Sequence, residues 1–184
     1  MSATPDFAPF AQRMQAEGLP EIVIRTFEHY YRQLAAGEKG MMPEAGIQPV
    51  ESLPDADELP LTLEEQGRRL IRHTVLLKLN GGLGTSMGMA RAKSLLEVKE
   101  GLTFLDSIAR QAVGSGTPLV LMNSFVTRDD SLAALDRYVD LKGDIPVDFL
   151  QHKVPKIAQV DLSPADHTSD PGLSWLPTGH GDIY

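Results

Sequence analysis

A short apolar run, residues 74–79 (TVLLKL), breaks at Asn80 into a loop with glycine at positions 81, 82, 84 and 88. Leucines and β-branched residues in so short a run predict a buried strand. A strand that dissolves into that much glycine gives up side chains so that its backbone can approach something closely. Amides exposed in such a loop make a concavity for anions, and Lys93 beyond it supplies a full positive charge. Phosphate is the guest that this chemistry selects.

Three better-known glycine motifs fail on the same residues. Walker A needs a Gly-Lys pair, and the loop has none. The dinucleotide fingerprint is met at Gly82 and Gly84 but then finds Met87, with the next glycine one place late at Gly88. The nucleophile elbow is matched literally by Gly84-Thr85-Ser86-Met87-Gly88, which raises a hydrolase reading with Ser86 as nucleophile. That elbow requires the strand to run straight into the serine, whereas this strand is expected to end near Leu79.

Around the loop, the chain divides into 1–72, a helical segment with an acidic linker, and 73–184, the domain that carries the glycine loop. Residues 7–17 and 20–36 read as amphipathic helices, with Pro20 in the first turn of the second and Gly37 at its end. Phe27, Tyr30 and Tyr31 are expected in its core. Residues 38–60 are rich in proline and lack periodicity, so they read as an extended connector. A further helix is expected over 61–73, with Thr62 and Glu65 forming a capping box.

From Thr74 onward, strands alternate with helices. Strands are expected at 74–79, 118–122 and 147–150, and a short extended piece at 95–98. Helices are expected at 103–113, capped by Thr103 with Asp106 in its first turn, and at 129–139. The pattern implies an α/β fold, Rossmann-like, with a mostly parallel sheet and helices on both faces. Ligands of such sheets sit beyond the carboxyl ends of the strands, which puts Asn80, Asn123 and Gln151 on one rim.

Net charge of −8 argues against nucleic acid but not against a nucleotide, which needs only a local group of donors and bases. The absence of cysteine excludes disulfides and thiolate metal sites. The opening MSATPDFAPF has no signal-peptide pattern, and no uncharged apolar run approaches spanning length, so a cytoplasmic protein without a membrane is expected.

The glycine loop resembles the nucleotide-binding signature of the UTP–glucose-1-phosphate uridylyltransferases (UDP-glucose pyrophosphorylases). Three later segments are similar to that family in the same order: 118–125 (PLVLMNSF), Gln151 with Pro155-Lys156-Ile157, and 175–184 (WLPTGHGDIY). Where many members carry Lys-Gly-Pro before the closing lysine, this chain has Ala90-Arg91-Ala92.

The resemblance implies UTP and glucose 1-phosphate as substrates, UDP-glucose and pyrophosphate as products, and Mg²⁺ as cofactor. It implies that Leu79, Asn80, Gly81, Gly82, Met122, Gln151 and Gly179 contact the nucleotide, and that Gly179 and His180 contact the sugar phosphate. Lys93 takes the catalytic charge-neutralising role, and Arg91 is a weaker basic candidate. Gly179–Asp182 is expected to open a further helix, capped by Asp182, whose N-terminus would favour anions. His180 with Asp182 is a weak metal pair. The family continues with more strands, a metal-binding aspartate, a catalytic lysine and a β-helix, so the chain reads as an N-terminal fragment with an incomplete sheet. Two alternatives stay open: a related pyrophosphorylase using another sugar 1-phosphate, and a non-catalytic nucleotide-binding module.

Overall fold

The structure is a computed structural model that describes residues 6–141 and 144–184, apart from the Ser86 side chain. It forms two compact units, Met1–Glu64 with Val154–Leu176, and Glu65–Lys153 with Pro177–Tyr184.

In the first unit, helices α1 (Ala8–Ala16) and α2 (Glu21–Ala35) meet through aromatic residues. Phe10 and Met14 are fully buried, and the Phe10 and Tyr31 rings lie 4.9 Å apart. Phe27 joins them because it lies one helical turn from Tyr31. Tyr30, also expected in the core, falls on the opposite face and is 63% exposed. Gly37 follows the last turn of α2 with φ 81°, a left-handed stop that glycine adopts without strain. The later stretch is fastened to these helices by Tyr31 Oη donating to the Leu162 carbonyl (3.0 Å) and by an Arg13–Asp166 ion pair (2.6 Å).

Helix α3 (Leu61–Leu70) begins earlier than the capping-box expectation. The Pro60 carbonyl accepts from Leu63 N–H, so Thr62 lies inside the first turn and is not its cap. A 3-10 turn, Ile71–His73, follows it and leads toward the first strand of the second unit.

The second unit is built on β1 (Leu76–Asn80), the hairpin β2 (Glu97–Lys99) and β3 (Leu102–Thr103), α4 (Phe104–Ser115), β4 (Leu119–Asn123), α5 (Arg128–Leu135) and β5 (Asp148–Leu150). Its sheet is parallel, in the order β1-β4-β5. Helix α4 carries the expected capping box, Thr103 and Asp106 each bonding to the other's backbone N–H. Leu105, Ala109 and Ala112 of α4 form one cluster with Leu119, Leu121 and Leu135. Both helices therefore cover the same face of the sheet, not opposite faces as expected. The strand order explains this, because successive right-handed crossovers in one direction deposit their helices on one side.

Helix α5 stops at Leu135, short of the expected 139, and the chain turns so that Arg137 and Tyr138 both bond Asp106. The expected burial of β1 is not seen. It has one neighbour among the described strands, and Leu76 and Leu77 are each 39% exposed. No helix among the described residues is long and apolar enough to cross a membrane.

Candidate functional site

Strand register sets the floor of the site. Asn80 pairs with Asn123, Asn123 pairs with Leu150, and Gln151 N–H donates to the Asn123 carbonyl (2.8 Å). Asn80, Asn123 and Gln151 thus lie side by side at the carboxyl end of the sheet, where parallel sheets bind their ligands.

A cleft of about 330 Å³ opens at the end of β1, between Lys78, Gly82, Lys93, Phe104 and His180. The loop that forms it is folded back on itself. Gly84 N–H donates to the Arg91 carbonyl (3.1 Å) and Lys93 N–H to the Gly82 carbonyl (2.9 Å), fixing the closing lysine beside the start of the loop. Among the described residues, the Gly81 and Gly82 amides have no acceptor. The Lys93 side chain is exposed, while Lys78 Nζ bonds the Leu79 carbonyl (3.0 Å). Two lysines and the unclaimed Gly82 amide, set beside the apolar side chains of Leu79, Met87, Leu96, Phe104 and Ile108 and with no carboxylate among the described wall residues, suit an anionic ligand.

The glycines serve different ends. A Cβ at Gly81 would lie 1.6 Å from Gln151 Nε2, so this glycine makes room for a side chain of its own protein. A Cβ at Gly82 would meet nothing, leaving it as the loop glycine that faces open space beside the cleft. Ser86 sits in the 3-10 turn Thr85–Met87, beyond the end of β1 at Asn80, so the strand-to-serine geometry of a nucleophile elbow is absent.

Gln151 is 6% exposed. Its Oε1 accepts from Gly179 N–H (3.0 Å), which leaves Nε2 as a buried donor without a partner among the described residues. A buried donor left unpaired costs free energy, and this amide can donate to an acceptor that reaches it. The same rim holds the chain's last turn. Thr178 Oγ1 donates to the His152 carbonyl (3.0 Å), and Asp182 accepts from His152 N–H (2.6 Å) while lying 3.0 Å from its Nδ1. Gly179 leads into a 3-10 turn, His180–Ile183, that carries Asp182 to His152. The Asp182 carboxylate thus holds both the backbone and the ring of His152.

Asn80 is 5% exposed, and its carboxamide is fully engaged within the protein. Nδ2 donates to Asn123 Oδ1 and to Ser131 Oγ, both at 2.8 Å, and Oδ1 accepts from Ser94 Oγ. Neither N–H remains for a ligand. Ser124 Oγ donates to the Gly81 carbonyl (2.9 Å) and Thr127 Oγ1 to the Asn80 carbonyl (2.8 Å), holding the loop's root. Asp148 closes the row, bonded by Asn123 Nδ2 (3.2 Å) and Arg128 (2.7 Å). Burial would raise its pKa, but the bonds from Arg128 and Asn123 outweigh that and hold it low.

Lys93, Leu79, Asn80, Gly82 and His180 therefore converge on one cleft. Gly81, Gln151 and Gly179 meet through the Gln151 carboxamide. Met122 is fully buried beside Leu79 in the sheet, and Arg91 is exposed on the returning strand of the loop. The sequence reading missed Ser94, Ser124, Thr127, Ser131 and Asp148. Its one available signal was the Ser-x-x-Thr spacing ahead of α5, a local side-chain-to-backbone pattern seen here as Ser124 N–H bonding Thr127 Oγ1 (3.0 Å).

The family profile described as UTP–glucose-1-phosphate uridylyltransferase matches residues 24–184 of the chain. The enzyme of that name from Solanum tuberosum is 42% identical over 124 residues, 64% of this chain and 26% of its own length. Among solved structures, the UDP-glucose phosphorylase of Trypanosoma brucei superposes with a TM-score of 0.79 at 38% identity, covering 96% of this chain and 37% of that one. A variant of the Leishmania major UDP-glucose pyrophosphorylase in complex with UDP-glucose gives 0.80 at 38% identity, covering 100% of this chain and 39% of that one. The chain thus spans about a quarter of the plant relative's length.

Proposed function

This chain belongs to the UTP–glucose-1-phosphate uridylyltransferase family, and from that membership we propose that its second unit supplies the nucleotide end of a site that makes UDP-glucose and pyrophosphate from UTP and glucose 1-phosphate. One observation carries the reading: the cleft at the end of β1 joins Lys78, Lys93 and His180 to the unclaimed Gly82 amide, with no carboxylate among the described residues of its wall. That is a receptor for a polyphosphate.

In the reaction, a phosphate oxygen of the sugar attacks the α-phosphorus of UTP in line, and the bond to pyrophosphate breaks. Such a transfer asks for positioning and charge stabilisation more than for a protein nucleophile. Lys93 neutralises charge on the triphosphate, the Gly81 and Gly82 amides donate to nucleotide oxygens, and the free Gln151 Nε2–H donates to an acceptor on the base edge. Gly179 orients that amide, and His180 serves the sugar phosphate. Met122 backs the base from within the sheet.

Mg²⁺ is expected with the nucleotide. It would be held chiefly by the phosphate oxygens of the nucleotide with one or two carboxylates, and would supply positive charge to the transfer; among the described residues no cluster of three or more His, Asp or Glu side chains could hold a metal ion unaided.

Calorimetric titration of the chain with UTP tests the reading. UTP should bind, and Lys93→Ala should weaken it by about tenfold or more, the worth of one charge-assisted contact to phosphate. Equal UTP affinity in the variant would overturn the role of the cleft.

A further inference from the structure

The polar row along the rim of the sheet has a direction. An ionised carboxylate only accepts hydrogen bonds, so Asp148 Oδ2 takes the Asn123 Nδ2–H (3.2 Å) and forces Asn123 Oδ1 to face Asn80. Asn123 Oδ1 must then take an N–H from Asn80 (2.8 Å), which turns Asn80 Oδ1 toward the loop. That oxygen accepts from Ser94 Oγ at 2.5 Å. Arg128 Nε anchors the far end on Asp148 (2.7 Å). Every amide orientation in the row follows from the charge at its start. The row ends on the residue immediately after Lys93.

We infer that Asp148, Asn123, Asn80 and Ser94 form a one-way hydrogen-bond relay that positions Lys93 at the cleft, acting through the lysine and not on the ligand itself. The inference rests on the polyphosphate reading above. Two features separate it from plain sheet packing. The Asn80 carboxamide has spent both of its N–H groups inside the protein, so it has no donor for a ligand although it lies at the cleft wall. The loop is also closed twice at the same place, by Lys93 N–H on the Gly82 carbonyl (2.9 Å) and by Ser94 Oγ on Asn80. A buried row of polar groups is no more stabilising than an apolar one of the same shape. What the row adds is a fixed placement for the backbone that carries the charge.

The test is a double-mutant cycle on the 184-residue chain, read by calorimetric titration with UTP and, in parallel, UMP. Ser94→Ala should lower the ratio of UTP to UMP affinity about tenfold, and should add less than about twofold once Lys93→Ala is present. Asp148→Asn, at the opposite end and outside the cleft wall, should lower the same ratio about threefold, because the amide no longer dictates the polarity of the row. A Ser94→Ala protein that loses thermal stability yet keeps the ratio overturns the inference, as does an effect of Ser94→Ala that persists in the Lys93→Ala background. A Lys93→Ala protein that binds UTP as tightly as the unsubstituted chain overturns the polyphosphate reading itself, and the inference with it.

Discussion

Replacing Gly81 by alanine tests the tightest packing in the site. The new Cβ would sit 1.6 Å from Gln151 Nε2 and 2.8 Å from its Cδ, so the carboxamide must leave its place. Backbone strain is not the issue, because Gly81 is not among the residues with positive φ. Moving the amide breaks the 3.0 Å bond from Gly179 N–H to Oε1, a loss of about 1 kcal/mol. Pushing a 6%-exposed side chain against its neighbours adds about 1–2 kcal/mol, as small-to-large changes in packed interiors do. The expected cost is therefore about 2–3 kcal/mol, measured by urea unfolding of the chain. In a Gln151→Ala background the collision disappears, and Gly81→Ala should cost less than about 0.5 kcal/mol. An equal cost in both backgrounds would refute the reasoning, since the glycine would then be answering to something other than Gln151.

Acid should act through Asp106, which is 1% exposed. Burial would raise its pKa, but bonds from Thr103 N–H and Oγ1, Tyr138 Oη and Arg137 hold it far below the usual carboxylate range. A depressed folded pKa stabilises above the unfolded value of about 3.9, and that contribution is lost as pH falls from there toward the folded one. Asp106→Asn should cost about 2–3 kcal/mol at pH 7, with the gap from the parent closing below about pH 4 in denaturant titrations. Alkali should act through Tyr31, whose pKa is raised by burial and by the nearby Asp6 and Asp161 carboxylates. Its contribution is complete below about pH 10 and lost above it, so Tyr31→Phe should flatten the alkaline limb of the stability profile and cost about 1 kcal/mol at neutral pH through the bond to the Leu162 carbonyl. By contrast, Arg32→Ala should change stability by less than about 0.5 kcal/mol, because its i,i+4 pair with Glu28 lies in solvent.

What was legible in the sequence was local. The capping box of Thr103 and Asp106 rests on groups three residues apart, and the break from TVLLKL into glycine marks the end of β1 to within one residue. The rim of Asn80, Asn123 and Gln151 followed from one further rule, that parallel strands end together on the ligand side. What was hidden depended on partners far along the chain. Gly81 looked like a gap left for a ligand, yet its missing side chain is filled by Gln151. His152 offered no local sign of a partner, yet its backbone N–H and its ring both meet the Asp182 carboxylate from a distant part of the chain. Asn80 has the residue type of a ligand contact, and only the three-dimensional count of its hydrogen bonds shows that its carboxamide is occupied. A residue's position in a motif therefore says that it is needed at the site, while its hydrogen-bond inventory says for what. In this loop the Asn80 carboxamide is occupied by the protein, while among the described residues the Gly81 and Gly82 amides have no acceptor and the Lys93 side chain is exposed, so those three are where a bound nucleotide should be felt first.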